Sequence, residues 1–172
     1  LSQAEHDRLA SSVLLTTSQG LATRVDAEII RQTSYLGRSE IIAASLRDFG
    51  CAIVCRDLKQ AAELANEVAP EHLEIVTEDP RSLLPDIQNA GAVFLGAWSP
   101  EPLGDYLAGP DHVLPTSGTA RFFSPLSVDS FLKTMSVVEF SRETLAPIRE
   151  EIVTMAEAEH LTAHANSIRV RF

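Results

Sequence analysis

Four polar clusters in this chain carry groups that can do chemistry. Gln3-Ala-Glu-His6 places an amide and an imidazole three apart, so that on a helical turn both side chains share one face. Pro70-Glu71-His72-Leu-Glu74 puts a carboxylate beside an imidazole at a helix-to-strand junction. Such a pair offers two proton acceptors whose affinities the surroundings can tune towards neutrality. Leu103-Gly-Asp105-Tyr-Leu-Ala-Gly-Pro-Asp-His112-Val-Leu-Pro-Thr116 sets a carboxylate and an imidazole seven apart, beyond the last strand expected. Open α/β sheets gather ligands in that region. The fourth cluster, Glu157-Ala-Glu159-His-Leu-Thr-Ala-His164, lies near the end of the chain. Taken singly, each cluster also reads as an ordinary solvated helix end or turn. Together, Gln3, His6, Asp105 and His164 are nitrogen and oxygen donors that suit zinc, with cobalt or manganese as alternatives. The lack of thiolate donors points to a substrate-binding metal over a closed structural one.

The elements that must position these groups follow from periodicity. Val13–Thr16 reads as a buried strand, and a helix from Ser18 carries Leu21, Val25 and Ile29 at a spacing of four. Gly37 interrupts it, and a second helix runs from about Ser39 to Phe49, with Gly50 as its stop. Cys51–Cys55 is the next strand. Asp57 caps a helix striped by Leu58, Ala61, Ala62, Ala65 and Val68. Leu73–Val76 and Ala92–Leu95 are further strands, with a helix near Pro80–Asn89 between them. Strand and helix in alternation imply crossover units and a mostly parallel sheet, an α/β layout. Residues 96–125, with four glycines and five prolines, read as a long functional loop. From Leu126 the chain turns mainly helical. Its long helix starts near Ser141 and stripes Leu145, Ile148, Ile152 and Met155, so Glu159 falls where an apolar residue is expected. Thr162 is the expected cap of a short last helix that holds His164 in its first turn. The expected division is therefore an α/β part over 1–125 and a helical tail over 126–172.

Composition narrows the classes of function. The chain has 172 residues, 45% hydrophobic and 22% charged, enough for a real core without staples. A net charge of -10 without any Lys/Arg cluster argues against nucleic acid and anionic membranes as partners. No apolar run approaches the roughly 20 residues of a membrane span. Cys51 and Cys55 would lie about 13 Å apart along one strand, too far for a disulfide. Both read as small core residues of a reducing compartment.

Several segments in order resemble the histidinol dehydrogenase family. They are Ser2-Gln-Ala-Glu-His-Asp7, Pro70-Glu-His-Leu-Glu74, Asn89-Ala-Gly-Ala-Val-Phe-Leu-Gly96, Gly104-Asp-Tyr106, His112-Val-Leu-Pro-Thr-Ser-Gly-Thr-Ala-Arg121, Phe122-Phe-Ser-Pro-Leu-Ser-Val128 and Ala163-His-Ala-Asn166. The resemblance implies oxidation of L-histidinol to L-histidine through an enzyme-held aldehyde, with two NAD molecules and one zinc ion, in the cytoplasm. It implies Gln3, His6, Asp105 and His164 as zinc ligands that also contact substrate. His112 and Glu159 match substrate-contacting positions. His72 would contact substrate and take the alcohol proton, and Glu71 would activate water. Members are homodimers whose C-terminal tail completes the neighbour's site, which would bring Glu159 and His164 across. They are also longer, so this chain is expected to be a C-terminal part, with incomplete Rossmann-like layers and a helical tail. It opens on Leu1 and holds no Gly-rich phosphate fingerprint. Two other readings compete: a catalytically silent segment that dimerises and binds zinc, and a zinc hydrolase using Glu71 and a metal-bound water.

Overall fold

Parallel pairing is the common feature of the strands, and it organises them into two small sheets instead of one. The computed structural model describes residues 1–172. It divides into two units, Leu1–Phe131 and Leu132–Phe172. In the first, β1 (Ser12–Thr16) pairs in parallel with β2 (Gly50–Val54), with Ser12 opposite Gly50. β3 (His72–Ile75) pairs in parallel with β4 (Ala92–Leu95), with His72 opposite Ala92. The expected parallel layers are two two-stranded sheets, and no strand pairs β2 with β3.

Helices make the crossovers. α1 (Ser2–His6) buries Ala4 completely and packs on α3 (Ser39–Phe49), whose Ile42 and Ser45 are also fully buried. The Ser45 hydroxyl donates to the Ala10 carbonyl at 2.7 Å, which ties the chain after α1 to α3. α2 (Gln19–Thr33) begins at Ser18, whose side chain accepts from the Leu21 amide. α4 (Leu58–Val68) is capped by Asp57, buries Ala62 and Ala65, and touches β1. It stops at Ala69, which takes a left-handed conformation (φ 49°) and sends the chain through Pro70 into β3. The expected helix between β3 and β4 is a 3₁₀ stretch, Pro80–Asp86. Asn66 of α4 holds the segment leading into β4: its side-chain oxygen accepts from the Gln88 and Asn89 amides, and its amide donates to the Asp86 carbonyl.

Within the stretch expected to be a loop, a short helix forms, α5 (Glu101–Tyr106). Pro100 and Pro102 flank its start, where a missing N–H costs nothing. Cys55 is buried as expected, but Cys51 is exposed, and both thiols are free.

The second unit is helical. α6 (Arg142–Leu145) gives way to a 3₁₀ turn over Ala146–Ile148, then to α7 (Arg149–Ala158). Pro147 explains the break in the single helix expected, since it cannot donate to the preceding turn. α7 packs on α8 (Thr162–Arg169) through Val153 and Ala165, both buried. The expected stripe is therefore not the buried face of this unit: Met155 is 69% exposed, and Glu159, the cap of α7, is exposed as well. The cap of α8 is Leu161, which makes no side-chain bond, and Thr162 is its first helical residue.

No helix is long and apolar enough to cross a membrane. The core consists mostly of alanines, while Phe131, Met135, Val137 and Val138 are all about four-fifths exposed.

Candidate functional site

Parallel register brings two elements together at one end of the β3–β4 pair. His72 opens β3 and Glu74 follows two residues later, so both point to the same face of the strand. β4 leads through Gly96, whose amide donates to the Ile75 carbonyl, to α5. On α5, Glu101 and Asp105 stand four apart and share a face. The Glu74 carboxylate accepts from the Glu101 amide at 2.7 Å, satisfying one of the free donors at the start of this helix. β3 thereby holds α5 in place with one charged hydrogen bond.

Two glycines allow the close approach. A Cβ on Gly104 would stand 2.7 Å from the Phe94 ring, so only glycine lets α5 rest on β4 there. A Cβ on Gly91 would stand 2.6 Å from the Glu71 carbonyl, where the chain passes into β4. Phe94 in turn lies beside the His72 imidazole, with ring centroids 6.0 Å apart.

The result is a cluster of His72, Glu101 and Asp105, in which one donor atom from each lies within 4.8 Å of the others. His72 stands between two carboxylates. Its Nδ1 is 4.0 Å from Glu71 and its Nε2 is 3.8 Å from Glu101. His72 and Glu101 are nearly buried, with side chains 14% and 15% exposed, whereas Glu71 keeps 30%. Burial first, and then the negative charge of Asp105, push the Glu101 carboxyl above its ordinary value; the nearby His72 acts the other way.

Beside the cluster opens a cavity of about 500 Å³, lined by His72, Asp105 and His112 together with apolar groups such as Phe94, Leu103 and Leu114. Convergent polar groups in an apolar cleft can orient a small polar molecule. The structure thus brings together three of the residues singled out from sequence: His72, Asp105 and His112. Glu71 flanks them. Gln3, half-buried, and His6, exposed, sit on α1 and do not line the cavity. Glu159 and His164 belong to the second unit and are exposed.

Glu101 is not among the residues singled out from sequence. Its signal is the spacing Glu101-x-x-x-Asp105, visible only to a reader who starts a helix at Pro100. The donor chemistry of the cluster, imidazole nitrogen and carboxylate oxygen, suits zinc. The sequence shows no Gly-rich phosphate fingerprint to match a dinucleotide.

A family model described as histidinol dehydrogenase matches residues 1–172. The histidinol dehydrogenase of Caldanaerobacter subterraneus subsp. tengcongensis is 64% identical over all 172 residues, and that of Clostridium acetobutylicum is 58% identical. In each case this chain covers 40% of the relative. Among solved structures, the crystal structure of histidinol dehydrogenase from Elizabethkingia anophelis superposes with a TM-score of 0.88 at 36% identity, over 99% of this chain and 39% of that one. The chain therefore spans about two-fifths of the length of these relatives.

Proposed function

The chain belongs to the histidinol dehydrogenase family, and from that premise we propose that it supplies zinc ligands and the proton-transfer residues for oxidising L-histidinol to L-histidine, through the aldehyde, in histidine biosynthesis. The observation that carries the reading is the meeting of His72 and Asp105 at one cavity, with Glu71 beside the imidazole.

Zinc is assigned to Gln3, His6 and Asp105 with His164 from a second copy, and the nitrogen and oxygen character of these side chains supports that metal. When bound, zinc supplies charge stabilisation at the substrate's reacting end, and NAD supplies the hydride acceptor. No residue of this chain is assigned to NAD. His72 takes the alcohol proton, because its imidazole lines the cavity and a neutral imidazole nitrogen can accept one. Glu71, the more exposed carboxylate, accepts a proton from the water that attacks the aldehyde. His112, on the cavity wall, and Glu159 contact the substrate. Phe94, Leu103 and Leu114 give the rest of the cleft an apolar wall.

The partner is a second copy of the protein, in the cytoplasm, whose site Glu159 and His164 complete. The exposed apolar side chains of Phe131, Leu132, Met135, Val137, Val138 and Phe140 support this, because they are the kind of surface an exchanged segment buries. The test is His72→Gln in the longer protein that carries this chain. Zinc content should stay, while single-turnover hydride transfer from histidinol slows about 10²- to 10⁴-fold. Hydride transfer at the normal rate would refute the role of His72.

A further inference from the structure

α5 has only six residues, yet it carries Asp105 to the cavity wall. So short a helix keeps little shape of its own, and its seat on the sheet fixes where its side chains stand. Two attachments make that seat, and both fall on one rung of the β3–β4 pair, where Glu74 is opposite Phe94. Phe94 meets the helix at Gly104, where a Cβ would not fit. At the start of the helix, Pro102 has no N–H and the Leu103 amide donates to the Pro100 carbonyl at 3.0 Å. The Glu101 amide has no carbonyl within its own helix to bond, and the Glu74 carboxylate accepts it at 2.7 Å. His72 lies two residues before Glu74 on the same strand and the same face. One strand thus carries both the imidazole and the anchor of α5.

We propose that Glu74 is the positioning residue of Asp105: by holding the Glu101 amide it fixes the direction of α5, and so aims the carboxylate one helical turn further on at the metal. The inference rests on the reading of Asp105 as a zinc ligand and deepens it. With the Phe94 contact alone, α5 is free to turn about that point. Turning re-aims the Asp105 carboxyl even where its backbone shifts little, and ligand distances at a metal tolerate only about 0.2 Å. A second attachment on the same rung removes that freedom. Glu74 itself meets neither metal nor substrate. Partners of this kind, one bond behind a ligand, set about 10- to 100-fold in metal affinity.

The experiment uses the longer protein that carries this chain, stripped of metal and titrated with zinc alone against a competing chelator. Glu74→Ala should weaken zinc about 10- to 100-fold. Glu74→Gln should recover part of the loss, because its side-chain oxygen still accepts the Glu101 amide without the charge. Glu74 is exposed, so melting of the metal-free protein should hardly move; a fall in melting that tracks the zinc loss in both variants would mark general destabilisation and overturn the proposal. Amide hydrogen exchange, resolved at Glu101 in the metal-free protein, should be slowed in the unaltered chain and fast in Glu74→Ala. Exchange at the unprotected rate in the unaltered chain overturns the proposal with no variant needed. Equal zinc loss in the two variants also overturns it, since the charge and not the bond would then be the cause. Asp105→Ala separates the two readings. Normal zinc affinity there brings down the ligand assignment and the role of Glu74 with it, whereas a loss there beside unchanged affinity in Glu74→Ala brings down this proposal alone.

Discussion

Replacing Gly91 with alanine tests whether the approach of β4 to β3 positions the Glu71–His72 pair. The added methyl would sit 2.6 Å from the Glu71 carbonyl oxygen and 3.1 Å from the Pro115 ring. An ordinary carbon–oxygen contact is about 3.3 Å or more, so the backbone must part by roughly 0.7 Å. A backbone carbonyl cannot swing away as a side chain can. Overpacking of this kind costs about 1–3 kcal/mol. Two hydrogen bonds stand at the same place, from the Gly91 amide to Pro70 and from the Ala92 amide to Glu71, at 2.9 and 2.8 Å. Weakening them adds about 1 kcal/mol, and the stiffer unfolded chain returns about 0.4–1 kcal/mol. The net loss is about 1–3 kcal/mol. At about 2–4 °C per kcal/mol for a chain of this size, the melting temperature should fall by roughly 2–12 °C. Gly37→Ala is the control, because nothing lies within 4 Å of its Cβ while the unfolded-state gain is the same. Melting followed by circular dichroism should separate the two variants. If Gly91→Ala melts with Gly37→Ala, the close approach does not hold the strands.

Asn66→Ala removes the acceptor of the Gln88 and Asn89 amides and the donor to Asp86. It should cost about 1–3 kcal/mol in urea unfolding, and an unchanged midpoint would show the bridge to be idle. The raised affinity of Glu101 for its proton sets a pH trend in the metal-free chain. The folded state keeps this proton at pH values just above 4.5, where the unfolded chain has already lost it, so stability falls as pH rises through that window. Glu101→Gln should flatten the trend, and an unaltered slope would place its cause elsewhere. His6→Ala and His164→Ala should each weaken zinc binding sharply, because removing one of four ligands leaves the set incomplete; full zinc retention by atomic absorption in both would cancel the ligand assignment. Incubated with zinc, histidinol and NAD, this chain alone should form no NADH at the rate of an ordinary dehydrogenase. Such turnover would reveal a nucleotide site within these residues.

Legibility in the sequence divides along the range of the interactions. β1, α3, α4 and β4 are local matters of apolar period and cap, and Asp57 marks the start of α4 as its residue type suggests. That β1–β2 and β3–β4 form separate sheets depends on which strand edges meet, and no residue pattern within a strand states that. At Pro147 two local signals conflict: the apolar spacing across 145–155 predicts one helix, and the proline within it breaks that helix. In the stretch 96–125 the conflict runs the other way. Glycines and prolines read there as loop formers, although Pro100 and Pro102 begin a helix and Gly104 is there to let that helix touch Phe94. Once α5 exists, Glu101 and Asp105 share a face, and the site acquires a member that no motif offered. Glu74 makes the same point at longer range. In the sequence it reads as one more solvent-facing carboxylate, but its bond to the Glu101 amide spans 27 positions and fixes how α5 meets β3. The distance between His72 and Glu101 is therefore set by a residue that need never touch a substrate.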